Sequence, residues 1–209
     1  MSMSNFIRWG AIGAISAGVV YIVGGGIVST PLLTEEGHSW FQQSPLWYWV
    51  EFGGAVALLM GLVGLYLYLR RSPRFGWLGT VAFYLLIVLV AYEAILPLMG
   101  FASESGARWL DSTFGAPQAL GKIFATLLFG IAILRAGTLP RAGAWIMIIA
   151  VLVFLGTIVS FIVGANGSIT NWSLPVASML YGLGLVILGY GLWTHRSDPV
   201  LPARPAPAT

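Results

Sequence analysis

Six long apolar runs constrain this chain more than any other feature of its sequence. Crossing the roughly 30 Å hydrocarbon core of a bilayer takes about 20 consecutive residues in a helix. Runs of that length cover residues 8–28, 47–69, 76–100, 117–135, 143–164 and 174–194. Because the runs lack the polar–apolar alternation of a barrel strand, they predict helices. The expected fold is an all-α, polytopic membrane bundle of six transmembrane helices.

The composition excludes the common soluble classes of protein. Hydrophobic residues make up 58% of the chain and charged residues only 8%, and the mean hydropathy is +0.88. Soluble domains carry about 25% charged residues, so a water-facing surface cannot be built from this chain. A net charge of +3 without a basic stripe argues against nucleic-acid binding. The absence of cysteine excludes disulfides and thiolate metal sites.

The first run raises the question of a secretory signal, because Arg8 precedes an apolar stretch. The run is longer than a typical signal core and is followed by no convincing small-residue cleavage site, so we predict a retained helix. Residues 1–196 are then expected to form one transmembrane domain. The proline-containing tail, residues 197–209, is expected to be disordered.

Basic residues are distributed unevenly between the two sets of loops. Eight of the ten basic residues fall on the side of the chain termini: Arg8, Arg70, Arg71, Arg74, Arg135, Arg141, Arg196 and Arg204. The opposite loops hold Glu35, Glu36, Glu104 and Asp111. Because loops rich in arginine and lysine stay in the cytoplasm, both termini are predicted to be cytoplasmic.

The sequence indicates three helical hairpins of similar layout, with a period of about 60 residues. Each hairpin opens with an arginine, a glycine and an early tryptophan, as in Arg8-Trp9-Gly10. Three membrane hairpins that obey the same charge rule would also look alike. True duplication and shared topology therefore both remain open.

One connector carries a family resemblance. Leu139-Pro140-Arg141, followed by Trp145, stands between two apolar runs of a six-helix chain of about 200 residues. In this connector and in its six-helix layout, the chain resembles bacterial membrane proteins whose families are classified as domains of unknown function. The resemblance covers most of the chain and implies a six-helix fold and a location in the bacterial plasma (inner) membrane. It implies no substrate and no catalytic residue.

Small residues are spaced for close helix packing. In lipid, helices associate through close approach of their backbones rather than through hydrophobic exclusion. Spacings of three and four residues keep small residues on one helix face. They recur in three of the runs, at Ala14 and Gly18, at Gly54, Ala57, Gly61 and Gly64, and at Gly182 and Gly189. Tight packing is the expected role, and a glycine-lined ligand cleft is the alternative.

Three charged residues lie within the apolar runs and away from their end residues: Glu51, Glu93 and Lys122. Each charge costs about 2.5–3.5 kcal/mol to insert, so intramembrane charges are the first place to look for function. At about 1.5 Å per residue they lie roughly 6, 10 and 8 Å from the outer ends of their helices, in one layer. Gln118 and Thr126 share a helix face with Lys122.

These residues support a site hypothesis and a structural alternative. In the hypothesis, Glu93 pairs with Lys122 in a polar cavity of the outer half, Glu51 points into the bundle beside them, and Gln118 and Thr126 line the same cavity. The site would bind a ligand or carry a proton. In the alternative, the side chains of Glu51 and Lys122 extend to the outer membrane–water interface, and the Glu93–Lys122 pair only holds two helices together.

Other polar segments are weaker candidates. Glu35, Glu36 and His38 in the first outer loop make a poor metal site, and we predict neither a metal nor a cofactor. Residues 101–116 are expected to form a short helix on the outer surface or a cap over the cavity.

The sequence leaves two classes of function, since it contains no enzyme signature. The favoured class is an accessory or sensory membrane protein that binds a lipid or a small apolar ligand. The alternative is a small proton-linked transporter that uses the outer carboxylate layer. The middle stretches 58–63, 85–90 and 150–155 carry no charge, unlike the midplane sites of transporters. Expected partners are the bilayer, such a ligand, and either a second copy or another membrane subunit, but no nucleic acid.

Overall fold

The computed structural model describes residues 3–28, 45–163 and 167–194. These ranges are almost entirely helical and contain no strand. We number the helices α1 (Met3–Val20, continued as a π-helix over Tyr21–Val28), α2 (Pro45–Leu69), α3 (Gly76–Ala102), α4 (Glu104–Ala136), α5 (Arg141–Ile162) and α6 (Gly167–Thr194). Each is long and apolar enough to cross a membrane. The all-α, six-helix prediction is confirmed, and the chain is a multi-pass integral membrane protein.

The helices overlap the predicted runs, although α1 and α6 begin five and seven residues earlier than predicted, and the largest difference is in α4. That helix begins at Glu104 rather than at residue 117, so the expected separate helix or cap over 101–116 is wrong. The Ser103 side chain caps the helix by accepting a hydrogen bond from the Gly106 amide at 3.2 Å. The Tyr92 hydroxyl donates to the Leu110 carbonyl at 3.0 Å and attaches this first part of α4 to α3. The helix then continues through Pro117 without a break.

The six helices form a closed ring. Each helix packs against its neighbours in sequence, and α1 packs against α6. Helices alternate in direction, so the bundle has two ends. The half that contains the start of α1 and the end of α6 is called the terminal half. The half that contains the end of α1 and the start of α2 is called the distal half. The predicted loop residues Glu35, Glu36 and His38 and the tail 197–209 lie outside the described residues.

Glycines bring three helices into backbone contact, mainly in the terminal half. A Cβ placed on Gly64 of α2 would overlap the Cα of Gly10 of α1, and one placed on Gly61 would come within 2.8 Å of the Ala14 backbone. Gly18 and Gly182 bring α1 and α6 together in the same way. The predicted packing role of the small residues is confirmed here.

Large apolar side chains fill the terminal half between these contacts. Leu62, Leu65 and Leu69 of α2 are at most 1% exposed. Phe129 and Ile133 of α4 and the leucines of α6 complete this buried cluster. On the outside, tryptophans near the terminal end are exposed, Trp77 by 76%, as expected for an aromatic belt at the membrane interface. The centre of the ring is therefore closed in the terminal half.

The distal half begins with a change in the geometry of α1. From Tyr21 to Val28 the helix is π-helical, with three consecutive glycines at residues 24–26. A π-helix is wider than an α-helix and occurs frequently at functional sites. Gly25 and Gly26 face Ser178 and Met179 of α6. Tyr21, the first residue of this segment, reaches the polar residues described next.

Candidate functional site

An ion pair between α3 and α4 forms the centre of the distal half. Lys122 Nζ lies 2.6 Å from Glu93 Oε1 and 2.7 Å from Glu93 Oε2. The lysine side chain is 18% exposed and the glutamate side chain 26% exposed. The two residues that were predicted to pair are therefore in direct contact. Each offsets the cost of holding the other in an apolar surrounding.

Two more side chains complete a hydrogen-bonded cluster around this pair. Gln118, one turn before Lys122 on α4, donates from Nε2 to Glu93 Oε1 at 2.9 Å. Lys122 also donates to the Tyr21 hydroxyl at 2.7 Å, and that hydroxyl donates to Glu93 Oε2 at 3.4 Å. We call Tyr21, Glu93, Gln118 and Lys122 the polar cluster. It links α1, α3 and α4.

The ammonium group of Lys122 is fully engaged within this cluster. Its hydrogen bonds reach both oxygens of Glu93 and the hydroxyl of Tyr21. It also lies 5.1 Å from the ring centre of Tyr21 and 5.9 Å from that of Tyr181, within the range of cation–π attraction. The two rings pack edge to face, with centroids 5.0 Å apart. The lysine is thus held between a carboxylate and two aromatic rings.

Two cavities adjoin the polar cluster, and Tyr21, Glu93, Lys122 and Ser178 line both. The small chamber, of about 150 Å³, extends between α4, α5 and α6. Its other lining residues include Thr126, Phe154 and Tyr181. The large chamber, of about 310 Å³, lies between α1, α2 and α3. The polar cluster therefore stands at the boundary between two spaces that side chains do not fill.

The remaining predicted site residues are divided between these chambers. Thr126, one turn beyond Lys122 on α4, is 2% exposed and lines the small chamber. Glu51 lines the large chamber, near the Trp47 side chain. It is exposed rather than turned wholly into the bundle, and it stands outside the Glu93–Lys122 pair. Of the five predicted residues, Glu93, Gln118 and Lys122 thus belong to the polar cluster, and the other two line the adjoining chambers.

Sequence reasoning missed Tyr21, Ser178 and Tyr181. Tyr21 bonds directly to the ion pair, Ser178 lines both chambers, and Tyr181 is only 8% exposed. The available signal was a tyrosine inside an apolar run, because a phenolic hydroxyl away from water needs a partner. The helix rotation that turns both rings toward Lys122 is not visible in the composition of either run.

A third cavity, of about 640 Å³, has a different chemistry. Phe6, Trp9, Met60 and Ile87 line it together with other uncharged residues. It offers no charged group that could orient a ligand. The polar cluster and its two chambers are therefore the better candidate site.

The site resembles a ligand pocket in its chemistry. Such pockets are mainly apolar and contain a few polar groups that fix the orientation of the bound molecule. Within the described residues there is no group of three His, Asp or Glu side chains that could hold a metal ion. Comparisons with family models, with curated proteins and with solved structures found no match. The function is therefore inferred from the site itself.

Proposed function

We propose that this integral membrane protein binds a small, largely apolar ligand in the distal half of its helix bundle, as an accessory or sensory protein. One observation carries the proposal: the Glu93–Lys122 pair, at 2.6 Å, lies at the boundary of two chambers that side chains do not fill. A pair that served packing alone would be expected to have side chains around it, because protein interiors are close-packed.

The lining of the chambers indicates what kind of ligand they suit. In the small chamber, Ile123, Val151 and Phe154 provide an apolar wall opposite the polar cluster. An apolar body could rest against this wall while a polar atom faces the cluster. This combination gives affinity from buried apolar surface and orientation from a few hydrogen bonds.

The closed terminal half favours binding over transport. A transporter needs a route from its site to both sides of the membrane. Beyond the polar cluster, the interior is occupied by Leu62, Leu65, Phe129 and Ile133, each at most 1% exposed. Glycine contacts between α1 and α2 seal the same region. The proposed ligand therefore enters and leaves through the distal half.

The proposal also includes a location and an orientation. Its support is the charge of the connectors in the terminal half, which carry Arg70, Arg71, Arg74 and Arg141. By the positive-inside rule, this half faces the cytoplasm of a bacterial cell and the two chambers lie in the outer half of the plasma membrane.

Native mass spectrometry of the protein, purified in mild detergent, tests ligand binding. We expect the wild-type chain to carry a bound small molecule that is released on collisional activation. The double variant Glu93→Gln/Lys122→Met should lose that molecule, because it removes both charges of the polar cluster. Arg71→Gln, which removes an exposed charge in a connector, is the matched control and should retain it. Identical spectra for the wild-type protein and the double variant, with nothing bound, would contradict the proposal.

Flux into proteoliposomes tests the transport alternative. We expect no uptake of protons in response to a pH gradient by vesicles that contain the wild-type protein. Proton uptake that disappears in Glu93→Gln would replace the binding proposal with the proton-linked transporter.

Cysteine labelling tests the orientation, because the chain has no cysteine of its own. Ser103 lies between α3 and α4 at the distal end, Thr138 lies between α4 and α5 at the terminal end, and both are exposed. In intact spheroplasts, a membrane-impermeant maleimide should label Ser103→Cys and leave Thr138→Cys unlabelled. The reverse pattern would place the termini outside.

A further inference from the structure

The hydroxyl of Tyr181 has no hydrogen-bond partner among the residues that the structure describes. Tyr181 lies on α6, is 8% exposed, and lines the small chamber. The Thr126 side chain faces it but does not reach hydrogen-bonding geometry. Since most buried polar side-chain atoms have a hydrogen-bond partner, an unpaired phenol beside a cavity requires an explanation.

The volume of the small chamber suits a single ring. A cavity of roughly 150 Å³ lined by apolar side chains can hold one benzene molecule. The small chamber has a volume of about 150 Å³, and Ile123, Val151 and Phe154 contribute to its wall. A six-membered ring could therefore lie between α4, α5 and α6 with one edge toward Tyr181.

The charges around the chamber favour a neutral molecule. The Glu93 carboxylate is neutralised by Lys122 at 2.6 Å, so neither charge is left over for an ionic ligand. The hydrogen bonds of Lys122 are taken by Glu93 and Tyr21. A ligand anion would have to displace Glu93, and a ligand cation would have to displace Lys122. Tyr181 lines the chamber, and its buried hydroxyl has no partner among the described residues, so the ligand should bring a hydrogen-bond acceptor.

We propose that the small chamber binds a neutral, single-ring carbonyl compound, such as an aryl ketone or a quinone ring, whose oxygen accepts a hydrogen bond from Tyr181. This inference rests on the proposed ligand-binding function and narrows it to one chamber and one chemical class. Tyr181 is the residue that selects a carbonyl ring over a hydrocarbon ring of the same size.

Titration calorimetry with acetophenone and ethylbenzene tests the inference, since these probes have similar shapes and differ in the carbonyl. The wild-type protein should bind acetophenone, and Tyr181→Phe should bind it about three- to tenfold more weakly, the effect of one net hydrogen bond. Ethylbenzene should bind both proteins equally. The C=O stretch of bound acetophenone should lie at lower frequency in the wild-type protein than in Tyr181→Phe.

Two control variants separate specific binding from partitioning into detergent. Tyr190→Phe removes a hydroxyl from the same helix at a side chain that is 63% exposed, and it should bind acetophenone as the wild type does. Ala119→Leu adds bulk to a residue that lines the small chamber and should abolish the binding of both probes. Benzoate and benzylammonium, which carry a charge, should not bind.

The outcomes also separate this inference from the proposed function. Equal loss of acetophenone and ethylbenzene affinity in Tyr181→Phe would overturn the role of Tyr181 and the carbonyl class. If neither ring binds the wild-type protein, the inference is overturned. In both cases a molecule retained in native mass spectrometry would leave the proposed function standing with another ligand.

Discussion

The terminal and distal halves of this bundle use the same helices in opposite ways. In the terminal half, Gly10 and Gly64 bring the backbones of α1 and α2 into contact, and leucine side chains fill the centre of the ring. In the distal half, α1 becomes π-helical from Tyr21, and two chambers lie beside the Glu93–Lys122 pair. The centre of the terminal half is filled, and the third cavity of that half lies at its outer surface, beside the exposed side chains of Phe6, Trp9 and Met60. In the distal half, unfilled space adjoins the polar cluster itself.

The comparison shows that a glycine does not by itself mark a contact between two helices. Gly64 lies so close to α1 that a side chain would overlap the Gly10 backbone, whereas a Cβ added to Gly53, on the same helix, would have no neighbouring atom within 4 Å. What distinguishes the two positions is the neighbouring helix. Gly53 is exposed on the outside of α2, so substitutions at these two glycines should have very different effects.

The largest effect is expected from a side chain placed at the closed contact. Gly64→Leu should destabilise the protein by about 3 kcal/mol, the upper end of the range for overpacking, because α1 and α2 would have to separate. Gly53→Leu should change stability by less than about 1 kcal/mol, since it lies in open space and leucine favours the helix. Unfolding of the two purified variants in a denaturing detergent measures both values. Equal destabilisation would refute the close contact between α1 and α2 at Gly64.

The next effect concerns the ion pair of the distal half. Lys122→Met should cost about 2 kcal/mol, below the 3–5 kcal/mol of a fully buried pair, because both side chains are partly exposed. Adding Glu93→Gln to this variant should restore part of the stability, since the unpaired carboxylate is then removed. The double-mutant cycle should show a coupling of about 1–2 kcal/mol.

Arg71→Met is the control for that cycle, because Arg71 is an exposed cation in a connector. It should change stability by no more than about 0.5 kcal/mol. Additive effects of Lys122→Met and Glu93→Gln would mean that the pair contributes nothing to the distal half.

The smallest effect on stability is expected at the two tyrosines that face Lys122. Tyr21→Phe removes a hydroxyl that accepts from Lys122 at 2.7 Å, and it should cost about 1 kcal/mol. Tyr181→Phe removes a hydroxyl without a partner in the described part of the chain, and in the ligand-free protein it should be neutral or slightly stabilising. Thermal melting in detergent measures both. A larger loss in Tyr181→Phe than in Tyr21→Phe would contradict the assignment of the unpaired hydroxyl.

Much of this architecture could be predicted from the sequence, because the cost of leaving polar groups in lipid restricts the choices. Helix limits follow from apolar runs, and the Glu93–Lys122 contact follows from the cost of an isolated charge. Thr126 could be placed near the site because it lies one turn from Lys122 on the same face of α4.

Other features depend on contacts that local sequence does not report. The start of α4 resembles a loop in sequence because it contains Arg108, Asp111 and Pro117. The Ser103 cap and the hydrogen bond from Tyr92 nevertheless stabilise this segment as a helix. Tyr21 and Tyr181 could equally have faced lipid, and only the packing of α1 and α6 turns them toward Lys122. The chambers are unfilled space between helices, and the sequence carries no direct signal for that.

The central claim, an open distal half above a closed terminal half, can be tested with two single cysteines on α4. Ala119 lines the small chamber and Ala132 is completely buried in the terminal half. In open membrane fragments, a small methanethiosulfonate reagent should modify Ala119→Cys rapidly and leave Ala132→Cys unmodified, and acetophenone should slow the reaction at residue 119. Equal reaction rates at the two positions would contradict the claim.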